Sequence, residues 1–328
     1  MMAYADIWIA ILAGAVVCAL TGAVVRFART WLIAHLRRVA PGLRAGALIG
    51  IVIAPLVLGV FAAVFITVSS HGTVIDLVRH HCHVTTVGCV AHAPTVSTGV
   101  LMALGSGLLA GLCLWIGLSV LDHGLKSADS LRLLKAASRR DHDQKLYILD
   151  TDAVVALASG LFRPRLFLSR GLCRRLDRQE RQIVCLHEQA HGRRFDNLAR
   201  LVAAAFAIGH PPQTARMLRG ELVLAQEQAC DRAAARRFGA IRTAETLLKV
   251  ERLQLLRAAA PPSCCFGAAY VDTSVVARVR ALVTPDFEPV RASAAAILGW
   301  AVICLGAIML GAEPLHHEIE TLILFFQN

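Results

Sequence analysis

The run Cys185-Leu186-His187-Glu188-Gln189-Ala190-His191-Gly192 holds a His-Glu-x-x-His pattern. On a helix, residues four apart share a face, so the His187 and His191 imidazoles project together, one turn apart. Two nitrogens at that spacing can grip one zinc ion. Glu188 sits about 100° round the helix from His187, where it can reach a metal-bound water without being a ligand. Tetrahedral zinc with one position open to water needs a third protein ligand. Glu227, in Glu227-Gln228-Ala229-Cys230-Asp231, is the candidate. It follows His191 by enough chain for a helix, a turn and a returning helix. Asp231, one turn beyond it, is placed to accept the far ring N–H of a ligating histidine and fix its tautomer.

These residue types imply metal-assisted peptide hydrolysis with one zinc per chain, Glu188 taking the water proton and passing it to the leaving amine. The sequence does not identify the donor for the developing oxyanion, and His210 is only a weak candidate. A chance His-Glu-x-x-His in a His-rich chain is the plain alternative. The Glu-x-x-x-Asp pair on a second predicted helix favours the hydrolase. A closed structural site would want a fourth protein ligand and no acid at position 188. That weighs against a non-proteolytic zinc-binding receptor or scaffold.

Certain elements must hold these residues in place. Asp177 as N-cap and Glu180 form a capping box that starts the motif helix. The run Leu198–Ile208 is apolar but too short to span a bilayer, so it is either a core helix or one dipping into the membrane. His210-Pro211-Pro212 ends it. A long helix over Gln213–Phe238 then carries Glu227 and Asp231, stopped by Gly239. Helices over Ala244–Ala258 and Asp272–Val283 follow, separated by a loop at Pro261–Gly267. Ahead of the motif, a helical run at Ala128–Arg140 is expected to lie at the membrane surface. Short strands follow it at Lys145–Leu149, Val154–Ala158 and Arg165–Leu168. The stretch Val154, Val155, Ala156, Leu157, Ala158 and Ser159 is the candidate edge on which a substrate main chain adds a strand.

A mean hydropathy of +0.58 and 56% hydrophobic residues in 328 point to a membrane protein. Four apolar runs reach spanning length, at about 7–25, 47–68, 100–121 and 292–311. The first has no basic residues before it, so it reads as a retained anchor rather than a signal peptide. The net charge of +11 does not imply nucleic-acid binding, because the basic residues cluster beside apolar runs without interleaved aromatics. Arg26, Arg29, Arg37, Arg38 and Arg44 mark the first connection as cytoplasmic. Lys126, Arg132, Lys135, Arg139 and Arg140 mark the segment after the third run in the same way. The loop 69–98 then lies outside, and so does the short tail 312–328. The soluble domain, 123–291, is cytoplasmic. No ionisable residue falls within the four runs, which argues against a cation transporter.

Most of the ten cysteines fall in apolar spans or on the reducing side. Only Cys82 and Cys89 fall outside, where they are expected to form a disulfide. The histidines around them read as solvated rather than as a sensor site, since their spacing matches no standard zinc pattern.

Three stretches together resemble one family: Gly160-Leu161-Phe162-Arg163-Pro164-Arg165-Leu166-Phe167-Leu168-Ser169, the motif running on into Arg193-Arg194-Phe195-Asp196-Asn197, and Glu227–Asp231 with its Cys-Asp pair. They look like the membrane-anchored gluzincin peptidases of the BlaR/MecR sensor-transducer type, over about residues 100–312. The resemblance implies a mainly α membrane protein with four transmembrane helices and a cytoplasmic α+β zincin domain. It implies zinc at His187, His191 and Glu227 with Glu188 catalytic, in a multi-pass protein of the bacterial inner membrane. The implied partners are the lipid bilayer and a protein substrate: a cytoplasmic transcriptional repressor, for which the chain is the antirepressor, or the chain itself. A homodimer is left open. The penicillin-binding sensor domain is expected to be absent, because the chain ends soon after the fourth run. An HtpX-like quality-control protease is the nearest rival within the same chemistry.

Overall fold

The structure, a computed structural model, describes residues 2–70, 98–141, 146–255 and 271–284. The chain is mostly helical around one small sheet. Its first two helices, α1 (Met2–Leu36) and α2 (Pro41–Ser70), form a tight hairpin. They approach so closely that a Cβ on Gly14 would lie 2.5 Å from the Gly59 carbonyl oxygen. Helix α3 (Thr98–Ala136) has 39 residues, about 58 Å at 1.5 Å per residue. That exceeds an apolar core of about 30 Å, so α3 continues past it and leads the chain directly to the sheet.

Among the described residues, three stretches are long and apolar enough to cross a membrane: Ala10–Leu36, Pro41–Phe65 and Ala103–Ala136. They begin and end differently from the apolar runs in the sequence. The first connection shrinks to residues 37–40, with Arg26 and Arg29 on α1 and Arg44 on α2. Backbone hydrogen bonding continues through these residues, and the buried Arg44 has a partner, the Gln228 side chain. The surface helix expected at Ala128–Arg140 is the end of α3, and its last residues belong to a strand. The run 292–311, the tail 312–328, Pro261–Gly267 and the Cys82–Cys89 pair lie outside the described residues.

The sheet has the order β1-β2-β4-β3, from β1 (Ser138–Asp141), β2 (Leu146–Leu149), β3 (Ala156–Ser159) and β4 (Arg165–Ser169). Strands β2 and β4 are parallel, and the outer strands pair antiparallel to them. Leu146, Val154, Leu166 and Leu168 pack with Leu172 of α4 (Arg170–Arg175) and its C-cap Leu176 under the sheet. Helices α5 (Arg178–Arg193), α6 (Asp196–Ala205), α7 (Pro212–Phe238), α8 (Ala240–Leu255) and α9 (Val271–Val283) follow, with a 3-10 turn at Phe206–Gly209 between α6 and α7.

A second core joins the hairpin to α6 and α7. Leu36, Ala45, Leu48 and Val52 of α1 and α2 pack against Leu218, Leu222 and Ala225 of α7 and Ala203 of α6. Trp115 of α3 donates its indole N–H to the Ala205 carbonyl at 3.1 Å. The α6 C-terminus and the 3-10 turn are thus wedged among the three long helices, as the apolar stretch Leu198–Ile208 suggested.

Pro55 lies inside α2 and has no N–H for the Ile51 carbonyl. His210 fills that gap. Its Nε2 lies 3.1 Å from the Ile51 oxygen and 3.3 Å from that of Val52, so this nitrogen is the donor. His210 is therefore committed to α2 and does not serve as the oxyanion donor. A membrane helix missing one donor takes it from the next packed element.

Candidate metal centre

Helix α5 starts where the capping box predicts. The Asp177 carboxylate accepts from the Glu180 N–H at 2.8 Å, and Glu180 accepts from the Asp177 N–H at 2.8 Å. Lys249 of α8 donates to Glu180 at 2.7 Å and ties this end to the fold. Ile183 and Ala190 are buried, which turns His187 and His191 towards α7. After Arg193 the chain reverses through Phe195, which adopts the left-handed conformation at φ 53°. That reversal starts α6 with Asp196 beside His191, an acid at a helix N-terminus where the dipole favours it. Helix α7 is anchored on both sides by fully buried Leu218, Leu222, Ala225, Gln226, Cys230 and Ala234, which sets Glu227 and Asp231 facing α5.

His187, His191 and Glu227 converge. Their Nε2, Nε2 and carboxylate oxygens lie within 4.8 Å of one another. Each Nε2 is 3.4 Å from one oxygen of Glu227, and the two nitrogens are 3.1 Å apart. Ligand atoms about 2.0–2.1 Å from one tetrahedral zinc would stand about 3.3 Å from each other. The donor set thus fits such an ion in chemistry and in spacing. The outer nitrogens are held as well. His187 Nδ1 lies 2.9 Å from Asp231, and His191 Nδ1 lies 2.8 Å from Asp196. When each Nδ1 carries the proton and donates it to a carboxylate, the two Nε2 lone pairs face the cluster.

The electrostatics favour positive charge here. Burial disfavours a charged ring at His187, but hydrogen bonds to Asp231 and Glu227 outweigh it and push the ring up to about 9. Burial likewise opposes charge on His191, and Asp196, Cys230 and Glu227 outweigh it and push that ring up to about 12. Glu227 is held well below the ordinary carboxylate range. Burial works against its charge, yet the hydrogen bonds from both histidines and the nearby Arg278 prevail. A dication would satisfy the same three carboxylates.

Glu188 lies next to His187 on α5, half-buried, with no hydrogen-bond or ion-pair partner among the described residues. Its carboxylate is uncommitted. The edge stretch is only partly as expected. Val154 is buried in the core under the sheet, and Val155 is tied through both its backbone groups to Ser169. Strand β3 is at the sheet edge, but it is limited to Ala156–Ser159. Since Val155 and Leu157 direct their backbone groups at β4, alternation turns those of Ala156 and Ala158 outward. Asn197 already donates to the Ala158 carbonyl at 3.0 Å.

The sequence reading assigned no role to Asp196, Arg200 or Arg278. Arg278 of α9 grips Asp231 through Nε and Nη2, both at 2.8 Å, and its Nη1 is 3.5 Å from Glu227. Arg200 of α6 donates to Glu227 at 3.1 Å. Asp196 stands in the run Arg193–Asn197 that follows the second histidine, and could have been suspected from it. The two arginines carry no local signal.

A cluster that fits a metal ion, beside helices long and apolar enough to cross a membrane, is the arrangement that a membrane-associated metallopeptidase needs. The family follows from comparison. The model of the BlaR1 peptidase M56 family matches residues 93–282, more than half of the chain, and the chain belongs to that family. The matched stretch contains every side chain of the cluster. No curated protein and no solved structure matches the chain.

Proposed function

We propose that the chain is an integral membrane zinc metalloendopeptidase of the bacterial inner membrane, cleaving a cytoplasmic transcriptional repressor, itself, or both in transmembrane signalling. The observation that carries the peptidase reading is the convergence of His187, His191 and Glu227 at tetrahedral spacing beside an uncommitted Glu188. Zinc, when bound, supplies the Lewis acid that activates water and polarises a carbonyl. Asp231 and Asp196 hold the two ring tautomers that aim Nε2 at the cluster. Glu188 removes the water proton and returns it to the departing amine. The outward groups of Ala156 pair with the substrate main chain. Elemental analysis of the purified chain should give about one zinc, and His191→Ala or Glu227→Ala should lose most of it. Full zinc in both variants would refute the ligand set.

The signalling reading places the peptidase domain in the cytoplasm. Arg37 pairs with Glu221 and Arg44 with Gln228, so the tip of the α1–α2 hairpin and α7 share one side. The basic residues at that tip support a cytoplasmic side. Reporter fusions should read outside at residue 90 and inside at residue 200. A fusion at 200 that is active only outside the cytoplasm would overturn it.

A further inference from the structure

The carbonyl oxygen that turns anionic when water adds to the peptide bond still needs a hydrogen-bond donor from the protein beside any metal. We propose that Arg200 is the hydrogen-bond donor to that oxygen, an assignment that rests on the peptidase reading. Its guanidinium is fixed on two adjacent residues of α7, with Nε donating to Gln226 at 2.8 Å and Nη2 to Glu227 at 3.1 Å. Gln226 is fully buried, so this anchor does not move freely. The Glu227 oxygen that Arg200 holds is the one 3.4 Å from His191 Nε2, which puts the guanidinium at the rim of the cluster. Nη1 has no partner among the described residues, and the side chain stays 38% exposed. A guanidinium has five N–H groups in a rigid fork, so donors remain for a ligand.

The position is also right. Asn197, one turn earlier on the same face of α6, holds the outward Ala158 carbonyl of β3. One face of α6 therefore touches both the substrate edge and the metal ligands. A peptide laid along β3 with its carbonyl at the cluster passes Arg200. Arg278, the other arginine on Glu227, is unsuited, being 13% exposed and engaged in its bidentate bond to Asp231.

In the step itself, the water oxygen bonds to the carbonyl carbon and its proton passes to Glu188. The C–O π pair moves onto the carbonyl oxygen, which Arg200 meets with an N–H. When the C–N bond breaks, the nitrogen takes the proton from Glu188 and the C=O re-forms. Arg200 stays protonated throughout.

The test uses the zinc-loaded full chain in detergent micelles. The probes are β-casein for cleavage and an N-phosphoryl dipeptide, whose tetrahedral anionic phosphoryl group imitates the adduct, for binding. Arg200→Gln should keep its zinc, lower kcat by about 10²- to 10³-fold, leave KM nearly unchanged and weaken the phosphoryl dipeptide more than tenfold. Arg200→Lys should recover part of both losses, because it restores the charge but not the fork. Unchanged kcat and inhibitor binding in Arg200→Gln, with Glu188→Gln inactive, would overturn the assignment alone. Zinc lost in parallel with kcat would also overturn it, reducing Arg200 to a holder of Glu227. A wild-type chain that neither cleaves casein nor binds the phosphoryl dipeptide would overturn the assignment together with the peptidase reading.

Discussion

Arg278→Ala is expected to destabilise the folded chain by about 3–5 kcal/mol, the usual result of removing one partner from a buried ion pair. The substitution leaves Asp231, 2% exposed, without the bidentate contact that holds it, and Glu227 without one of its two arginines. Burial alone would raise the Asp231 pKa. The charge and hydrogen bonds of Arg278 outweigh that effect and keep it low. Without them only His187 is left to oppose the burial of this charge, and the packing between α7 and α9 loses its tie. Thermal unfolding in detergent should show the loss in zinc-free protein, where no metal compensates. Lys126→Ala is the control. It breaks an exposed i,i+4 pair with Asp122 and should cost well under about 1 kcal/mol. Equal melting temperatures for the Arg278→Ala and Lys126→Ala chains would show that Arg278 is dispensable to the site.

Arg278 also shows what a sequence hides. The two helices of the site were legible because their signals are local. Asp177 and Glu180 announce the start of α5, four-residue spacing pairs the histidines, and Gly239 at φ 83° ends α7. Arg278, by contrast, meets Asp231 across 47 positions, and it is one of 34 Lys and Arg residues in the chain. Nothing in its neighbourhood separates it from the rest. Strand β1 was missed for a different reason. Ser138-Arg139-Arg140-Asp141 has no alternating apolar residues, and its main-chain pairing with β2 makes it a strand. The first three apolar runs were legible as helices long enough to span, but their ends were not. Helical hydrogen bonding continues through Arg26, Arg29 and Arg44, and the buried Arg44 has the Gln228 side chain as partner. His210 was misread because the proline it serves lies far away in α2, where a carbonyl lacks its donor.

Glu188→Gln tests the account most directly, because it separates catalysis from metal binding. The carboxylate is uncommitted in the fold, and zinc is assigned to its neighbours, so the amide should leave folding and zinc content as they are. Only the proton carrier is removed, and general-base catalysis is worth about 10²- to 10⁴-fold. The measurement is the rate of peptide-bond cleavage by the zinc-loaded full chain, followed on β-casein and on the chain itself by quantitative immunoblot. Zinc content and melting temperature are read on the same samples. The account predicts one zinc in both proteins, unchanged melting, and cleavage slowed by at least about 100-fold in the variant. Cleavage at the wild-type rate by a zinc-loaded Glu188→Gln chain would contradict it.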